Sequence, residues 1–303
     1  MGAIKGVPHP FPYQGSKRIL ASQIIGCVPS GTKCLLEPFA GSAAITLASA
    51  HLKKADRYLI NDIHMPIYKL WKAILNKPEK LAAQYRFLWT EQIGKERIYY
   101  DHIRDKFNKT SEPHYFLYLL ARCIKAAIRY NKKGDFNNSP DNRRKGMHPD
   151  KMEKNVIFAS EILKRKTNIS CSDYRETLEN IGHNDFVYMD PPYQGVCDTR
   201  DHRYCQGVDF EDFVNELEKL NNKNISFMVS YDGRTGDKIH GEHLPMELDL
   251  EKVEICVGRS TQATLLGRDD RTYESLYLSR ALLRRLGETP KCIQKQAEKL
   301  LFI

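Results

Sequence analysis

Apolar runs of strand length alternate with longer amphipathic stretches in the first quarter of the chain. The run from Leu35 to Phe39 predicts a strand that ends in a loop, and Ala44 to Leu52 predicts a helix. Arg57 to Ile60 predicts the next strand, and Met65 to Leu75 predicts the next helix. Strand, small-residue loop and helix in this order are typical of the opening unit of a doubly wound nucleotide-binding fold.

The same alternation resumes in the second half of the chain. The predicted strands there are Ile169 to Cys171, Phe186 to Met189, Ile225 to Ser230, Glu251 to Val257 and Ser275 to Leu278, and the predicted helices are Phe210 to Leu220 and Arg280 to Ile303. The strand that begins at Ile225 is expected to end in the stretch Ser230 to Gly233. We therefore predict an α/β fold with a doubly wound, mostly parallel sheet.

Residues 78–166 interrupt this alternation and carry the excess of positive charge. They contain helical patterns, among them the amphipathic run Tyr115 to Tyr130, followed by a loop-like stretch from Asn131 to Pro149. The net charge is +9, and residues 94–166, with 18 Lys/Arg and 9 Asp/Glu, account for all of it. A basic surface attracts a polyanion, although a solvated basic helix face would have the same composition. We predict an inserted helical subdomain at 78–166, and a second domain formed by 1–77 and 167–303.

The composition bounds the class of protein. A chain of 303 residues with 41% hydrophobic and 28% charged residues is typical of a soluble globular protein. No apolar stretch reaches membrane length, and the N-terminus lacks a signal-peptide pattern. The eight cysteines include no Cys-x-x-Cys pair, which argues against a zinc site or a disulfide framework. We expect a cytoplasmic protein with no metal and no membrane partner.

The stretch Asp190-Pro191-Pro192-Tyr193 follows a predicted buried strand, where ligands bind in an open α/β sheet. It suits the activation of an exocyclic amine, which is a poor nucleophile while its lone pair is delocalised into the ring. The Asp190 carboxylate and the Pro191 carbonyl can accept its two N–H groups and draw the nitrogen toward tetrahedral geometry. Tyr193 offers a face on which a base can stack. The alternative is a plain surface turn, since Asp and Pro favour turns.

Three upstream motifs bear on this choice. They are Tyr13 to Arg18, with the sequence Tyr-Gln-Gly-Ser-Lys-Arg, then Glu37 to Ala43, and then Asn61-Asp62. An acidic residue about 20 positions after a glycine loop, at the end of the second strand, is placed to bind ribose hydroxyls. Asp62 alternatively caps the helix that begins near Met65. Each motif is weak alone, but all four in this order on alternating strands are hard to obtain by chance.

With these four motifs the chain resembles the adenine-specific DNA methyltransferases of the Dam and DpnII type, the D12 class or alpha group. In that family a target-recognition insert lies between the cofactor half and the catalytic half. The resemblance runs from about Pro10 to Leu278. In the insert, Arg129 to Asn137 resembles the family string Arg-Tyr-Asn-x-x-Gly-x-Phe-Asn, and Cys171 to Tyr174 matches the segment before the catalytic loop.

The resemblance implies transfer of a methyl group from S-adenosyl-L-methionine to adenine N6 in double-stranded DNA, with the target adenine flipped out of the helix. It implies a catalytic loop of Asp190, Pro191, Pro192 and Tyr193, which holds the flipped adenine. It implies that Tyr13 packs on the cofactor and that Lys17 binds its carboxylate. At the methionine end it implies contacts from Glu37 and from the loop Phe39, Ala40, Gly41, Ser42 and Ala43. It also implies that Asp62 binds the ribose, that Asp173 lies beside the cofactor adenine, and that Asp190 contacts the cofactor. Lys17 as a surface lysine and Asp173 as a turn residue are the alternatives.

The candidate DNA contacts all lie in the insert. They are Lys125, Arg129, Asn131, Lys132, Lys133, Asn137, Arg143, Arg144 and Lys145. Which of them read bases stays open, because phosphate contacts outnumber specific ones. The protein is expected to act as a monomer, either as a solitary methylase or with a companion restriction endonuclease.

The sequence departs from the family at two places. Ala43 stands where the family loop Phe-x-Gly-x-Gly has its last glycine, and alanine resists positive φ, so a slightly different loop is expected. The residues after Asn137 differ from the Val-Pro-Phe-Gly of the GATC-specific members, so that target is not carried over. The rival functions are methylation of another amine, such as cytosine N4, RNA adenine or a protein glutamine, and non-catalytic DNA binding.

Overall fold

The protein is described here by a computed structural model that covers residues 3–192, 208–236, 238–259 and 271–287. The strands are β1 Thr32–Glu37, β2 Ala55–Asn61, β3 Thr167–Ser170, β4 Phe186–Met189, β5 Ser226–Thr235, β6 Lys238–His240, β7 Glu251–Arg259 and β8 Arg271–Leu278. The helices are α1 Ala21–Gly26, α2 Ala44–His51, α3 Met65–Asn76, α4 Pro78–Glu91, α5 Glu96–Thr110, α6 Pro113–Arg122, α7 Pro149–Leu163, α8 Tyr174–Leu178, α9 Phe210–Asn222 and α10 Arg280–Leu286. Short 3-10 helices lie at Lys17–Ile19, Ile124–Ala126 and Met246–Leu248.

The strands form one sheet in the order β3-β2-β1-β4-β5-β8-β7, with β6 paired to β5. The pairs from β3 to β5 are parallel, whereas β8 is antiparallel to both β5 and β7. The chain winds outward from β1 to β3 and then returns to place β4 on the other side of β1. This confirms the predicted doubly wound, mostly parallel α/β fold, and it puts the topological switch point between β1 and β4.

Strand β4 shows why a short apolar run predicts a buried strand. All four of its residues are buried, because β4 lies between β1 and β5 and both faces of the sheet are covered. Phe186 and Tyr188 belong to one hydrophobic core, and Val187 and Met189 belong to the core on the opposite face. The strand therefore delivers the residue that follows it, Asp190, to the carboxyl edge of the sheet.

The helices of residues 78–166 pack on α2 and α3, which in turn contact β1, β2 and β3. Helix α7 contacts α2, α3 and α4, and α6 contacts α3, α4 and α5. A single hydrophobic core runs from Trp71 in α3 to Tyr85, Phe116 and Phe136. Among the described residues, no helix is long and apolar enough to cross a membrane.

Several predicted elements have other bounds in the structure. The amphipathic run Tyr115 to Tyr130 is α-helical only as far as Arg122, because Lys125 and Ala126 take left-handed φ values of 57° and 51°. The Asn138 side chain holds this non-helical stretch by donating to the carbonyls of Ile124 and Ala127 at 3.0 and 2.8 Å.

Strand β5 continues to Thr235, beyond its predicted end near Ser230, because β8 pairs with it on the far side of a bulge. The bulge falls at Asp232, whose φ is 48°. The last helix extends over Arg280–Leu286, and the remainder of the predicted helical tail, from residue 288 on, lies outside the described residues.

Candidate active site

A cavity of about 780 Å³ lies at the carboxyl ends of β1 and β4. It brings together most of the residues that the sequence proposed for the cofactor and catalysis, which come from five separate stretches of the chain. These lining residues are Tyr13, Lys17, Glu37, Phe39, Ala40, Gly41, Ser42, Asp62, Asp173, Asp190, Pro191 and Pro192. Ala43 is fully buried and is not among the lining residues. Tyr193 lies outside the described residues.

The loop after β1 makes a sharp turn through two left-handed residues. Gly41 has a φ of 49°, and a Cβ added there would lie 2.6 Å from Cε1 of Tyr13, so only glycine allows the tyrosine to pack on this loop. Ala43 also has a positive φ, 46°. Alanine thus takes the left-handed conformation that it disfavours, and the expected difference in loop shape from the family stays a prediction. Ala43 keeps the left-handed conformation because its N–H donates to Ala40 at 2.6 Å and its carbonyl begins α2 by accepting from Leu47 at 2.9 Å.

Neighbouring elements fix this loop from three sides. The buried indole of Trp71 donates to the Gly41 carbonyl at 2.9 Å. The Ser42 hydroxyl donates to the Ser16 hydroxyl at 2.8 Å, which ties the loop to the N-terminal motif. The Asn61 side chain donates to the carbonyls of Pro38 and Ser172, both at 3.0 Å, and so joins the ends of three parallel strands. Sequence reasoning did not assign Trp71 or Ser16 to the site, since only the folded chain brings them to the loop.

Glu37 is the last residue of β1 and is buried beneath the loop. Its Oε2 accepts from the Thr46 N–H at 2.7 Å, so it satisfies a free donor in the first turn of α2. Burial raises the pKa of Glu37 to about 7, and the hydrogen bonds from Thr46 oppose that rise. A carboxyl group with this pKa lining a cavity is poised to ionise when a positive charge enters.

Asp62 follows β2 and ties the two loops together. Its Oδ2 accepts from the Gly41 N–H at 2.8 Å, and its Oδ1 accepts from the His64 N–H at 2.9 Å. Burial raises the pKa of Asp62 to about 6. The N-cap residue of α3 is His64, and the Asp62 carboxylate bridges two loop amides at the cavity wall. Its contact with a ribose stays a prediction.

Asp173 and its neighbours form the far wall. The Asp173 carboxylate caps α8 by accepting from the Arg175 N–H at 2.9 Å, and the Arg175 side chain, also hydrogen-bonded to it, lowers its pKa. Asp173 is therefore the N-cap of a helix, whereas the alternative that the sequence suggested was a turn residue, and it also lines the cavity. Beside it the ring of Tyr174 lies 5.0 Å from that of Phe39 and 6.1 Å from that of Phe213. This aromatic wall suits a planar heterocycle.

Asp190 faces the cavity from the end of β4 and carries an ion pair. Its Oδ1 lies 3.2 Å from the Lys17 Nζ, and the same Nζ lies 3.0 Å from Oε2 of Glu274 in β8. Burial raises the pKa of Asp190 to about 6, with Lys17 opposing the rise and Glu274 adding to it. Lys17 is thus a residue of the site interior and not a surface lysine. Sequence reasoning missed Glu274, because a glutamate within a strand carries no motif.

The candidate DNA contacts lie on the loops that follow α6. Eight of the nine are exposed, namely Lys125, Arg129, Lys132, Lys133, Asn137, Arg143, Arg144 and Lys145. Asn131 is half-buried, and its Oδ1 accepts from the N–H groups of Lys133 and Asp135 at 2.8 and 3.0 Å, so it holds the turn that presents its neighbours. Arg143 and Arg144 pair with Asp141, and Lys145 pairs with Glu96, in each case at 3.3 Å.

The hairpin from Arg129 to Asn137 adjoins the cavity. Tyr130 and Gly134 contribute to the cavity lining, and the Tyr130 hydroxyl contacts the His64 ring. The Asn108 side chain in α5 pairs with both backbone polar groups of Phe136, at 2.9 and 3.1 Å, and pins the hairpin in place. A basic surface therefore continues into the wall of the acidic cavity.

The fold and the site together define an α/β protein with a cavity of ligand size at the switch point between β1 and β4. A family model described as D12 class N6 adenine-specific DNA methyltransferase matches residues 13–255. The chain belongs to this family, as the motifs predicted.

Three DNA methyltransferases are similar to a large part of this chain. The Retron Ec67 DNA adenine methylase of Escherichia coli is 33% identical over 190 residues, which are 61% of this chain and 63% of that protein. The DNA adenine methylase of Serratia marcescens is 29% identical over 62% of this chain and 67% of its own length. The type II methyltransferase M.MjaIII of Methanocaldococcus jannaschii is 27% identical over 72% of this chain and 82% of its own. The chain thus spans just under two thirds of the first of these relatives.

Proposed function

We propose that this protein transfers a methyl group from S-adenosyl-L-methionine to N6 of adenine in duplex DNA. The observation that carries the proposal is the convergence of two segments on one cavity. The loop Phe39 to Ala43 after β1 and the residues Asp190 to Pro192 after β4 meet at the switch point, although about 150 residues separate them in the chain. Membership of the adenine-specific family supports this choice of reaction.

The cavity fits the proposed cofactor in size and charge. Its volume of about 780 Å³ is within the range that encloses a small organic ligand. The carboxyl groups of Glu37, Asp62 and Asp190 line it, and they suit a ligand that carries a sulfonium and an ammonium group. Phe39 and Tyr174 offer the aromatic wall for its adenine. When bound, the cofactor supplies a methyl group that the sulfonium has already activated.

The chain's own residues orient the amine and hold its proton. The Asp190 carboxylate accepts one N–H of the target amino group, and the Pro191 carbonyl, held by the rigid proline ring, accepts the other. Transfer of the methyl group makes the nitrogen acidic, and Asp190 takes the proton. Because the pKa of Asp190 is raised to about 6, the proton then leaves to solvent at neutral pH. Tyr193 is proposed to stack on the flipped base.

We assign DNA recognition to residues 78–166 and catalysis to residues 1–77 and 167–303. The exposed basic residues around the Arg129 to Asn137 hairpin are the proposed phosphate and base contacts. Since one chain supplies both the cavity and the basic surface, we propose a monomer that acts in the cytoplasm on chromosomal or foreign DNA. A type II methyltransferase among the relatives supports a companion restriction endonuclease as a further partner.

Expression in a host that lacks adenine methylation, followed by mapping of modified bases, tests the proposal. We expect N6-methyladenine in one sequence context, and loss of methyl transfer by a factor on the order of 100 or more in Asp190→Ala. Asp56→Ala is the matched control, because Asp56 is exposed at the opposite end of the sheet and pairs only with Lys33 among the contacts described. Methylation of RNA or of cytosine in place of DNA adenine would refute the proposed substrate.

A further inference from the structure

Glu274 belongs to the site although it lies outside residues 13–255, the range that the family model matches. Its carboxylate and that of Asp190 share one lysine, with Lys17 Nζ at 3.0 Å from Glu274 and 3.2 Å from Asp190. The lysine side chain is only 11% exposed and each carboxylate is 23% exposed. Two negative charges and one positive charge are therefore held together where water screens them weakly.

A bulge in the neighbouring strand sets the position of Glu274. Ser275 of β8 pairs with Tyr231 of β5, but Glu274 pairs with Gly233, so Asp232 is the extra residue. A Cβ added to Gly233 would lie 2.6 Å from the Tyr273 carbonyl, which shows how closely the two backbones approach. Bulges of this kind bend a strand and change the direction of nearby side chains, and they are enriched next to active sites.

A buried network holds the bulge in place. The Asp232 side chain is 1% exposed, and its Oδ2 accepts from the Tyr277 hydroxyl at 2.6 Å and lies 3.1 Å from the Lys252 Nζ. His243 Nδ1 contacts the same oxygen. Asp232 pairs with Lys252 across the sheet, and this fixes the left-handed residue whose conformation makes the bulge. The direction of Glu274 is thus determined by the fold and not by its own rotamer alone.

We propose that Glu274 is a positioning residue of the active site, which holds Lys17 beside Asp190 and sets the charge with which Asp190 meets the substrate amine. This inference rests on the proposed function. Glu274 draws Lys17 away from an exclusive pair with Asp190, so the Asp190 carboxylate keeps an oxygen free for the amine. The negative charge of Glu274 repels that of Asp190, and it therefore favours the protonated form of Asp190 that the reaction produces.

Removal of the Glu274 charge has a defined consequence. Burial and the Glu274 charge raise the pKa of Asp190, whereas Lys17 opposes the rise. The resulting pKa is about 6. In Glu274→Gln the repulsion between Glu274 and Asp190 is lost and the attraction between Lys17 and Asp190 remains, so the pKa of Asp190 falls. At pH 6 about half of Asp190 is ionised in the wild type, and a larger fraction is ionised in the variant.

The dependence of kcat/KM on pH tests this consequence. Ionisation of Asp190 is expected to give an acid limb near pH 6 in the wild type and at lower pH in Glu274→Gln. Glu254→Gln is the matched control, since Glu254 lies in the adjacent strand β7 and pairs with Arg234 at 3.3 Å. The acid limb of this control stays at the wild-type pH. Thermal unfolding of both variants checks that they fold.

Titration of the Asp190 carboxyl by NMR gives a second measurement that needs no activity. With ¹³C-labelled aspartate, the Asp190 signal is the one absent from Asp190→Asn. A lower midpoint in Glu274→Gln than in Glu254→Gln supports the proposal even if adenine in DNA proves to be the wrong substrate. An unchanged midpoint together with an unchanged acid limb in an active enzyme overturns the role of Glu274 and leaves the proposed reaction standing.

Discussion

Replacing Glu37 by glutamine is expected to stabilise the protein without ligand at alkaline pH. Glu37 is buried under the loop after β1, and its carboxyl accepts from the Thr46 N–H. Glutamine keeps an oxygen that can accept the same hydrogen bond, but it never ionises. The substitution therefore removes the cost of burying a charge and leaves the contact with α2.

The magnitude follows from the raised pKa. Burial raises the pKa of Glu37 from 4.5 to about 7, so between these values the folded state binds more protons than the unfolded state. The free energy of unfolding of the wild type accordingly falls as pH rises through this window, and it shows no penalty below it. Between pH 5 and pH 8 the wild type loses roughly 2.5 kcal/mol relative to Glu37→Gln.

Urea unfolding of both proteins at pH 5 and pH 8 measures this difference. Comparing the two pH values cancels any constant effect of the substitution on packing. Glu218→Gln, which changes an exposed glutamate on α9, is the control and should follow the wild type at both values. If Glu37→Gln and the wild type differed in free energy of unfolding by the same amount at pH 5 and pH 8, ionisation of the buried Glu37 carboxyl would carry no cost. That result would refute the reasoning.

The same substitution is expected to weaken cofactor binding. A positively charged ligand favours the ionised form of Glu37, so binding at pH 7 should release part of a proton from the wild type. The glutamine variant loses both the attraction and the proton release. Calorimetric binding in two buffers of different ionisation enthalpy detects the difference, and equal proton release in both proteins would contradict it. Glu37→Gln is thus expected to be more stable than the wild type and to bind the cofactor more weakly, which is the trade-off expected at a functional site.

Two further predictions concern the loop and the hairpin. Gly41→Ala should lower the free energy of unfolding by about 1 kcal/mol because of its left-handed φ, and it should also displace Tyr13 and weaken cofactor binding. Gly31→Ala is the control, because Gly31 has a φ of 71° and no atom within 4 Å of an added Cβ. It should lower stability without affecting cofactor binding. Lys132→Ala should reduce the magnitude of the slope of log DNA affinity against log salt concentration by about 0.9, which a salt titration measures. Lys223 is an exposed lysine at the C-terminus of α9, and Lys223→Ala should leave that slope unchanged.

The parts of the fold that the sequence predicts are those set by local pattern. Phe186 to Met189 is an unbroken apolar run, and it forms a strand buried on both faces over those same residues. Asp190 follows it directly, so the local pattern alone is enough to put this carboxylate at the carboxyl edge of the sheet. The small-residue loop after β1 is equally local, because its composition reflects a turn that few other side chains could make.

The parts that the sequence misses depend on distant contacts. Glu274 reaches the site through a bulge in a neighbouring strand, and Trp71 reaches the loop from the first turns of α3, so neither has a signal in its own surroundings. The run Tyr115 to Tyr130 keeps a helical pattern past the end of α6, but the Asn138 side chain captures its carbonyls instead. Ala43 shows that the backbone hydrogen bonds of a tight turn and a helix start can hold a conformation that alanine itself disfavours.

The position of β4 between β1 and β5 has a consequence for synthesis of the chain. Strand β1 has β2 on one edge soon after it is made, but its other edge stays open until Phe186 arrives about 150 residues later. At ordinary rates of translation this interval lasts roughly 10 to 30 seconds. During that time a central strand, Leu35 and Leu36 included, behaves as an exposed edge that can pair with other chains. The helices of residues 78–166 are made within this interval, so they must form and pack on α2 and α3 while that edge of β1 is still open.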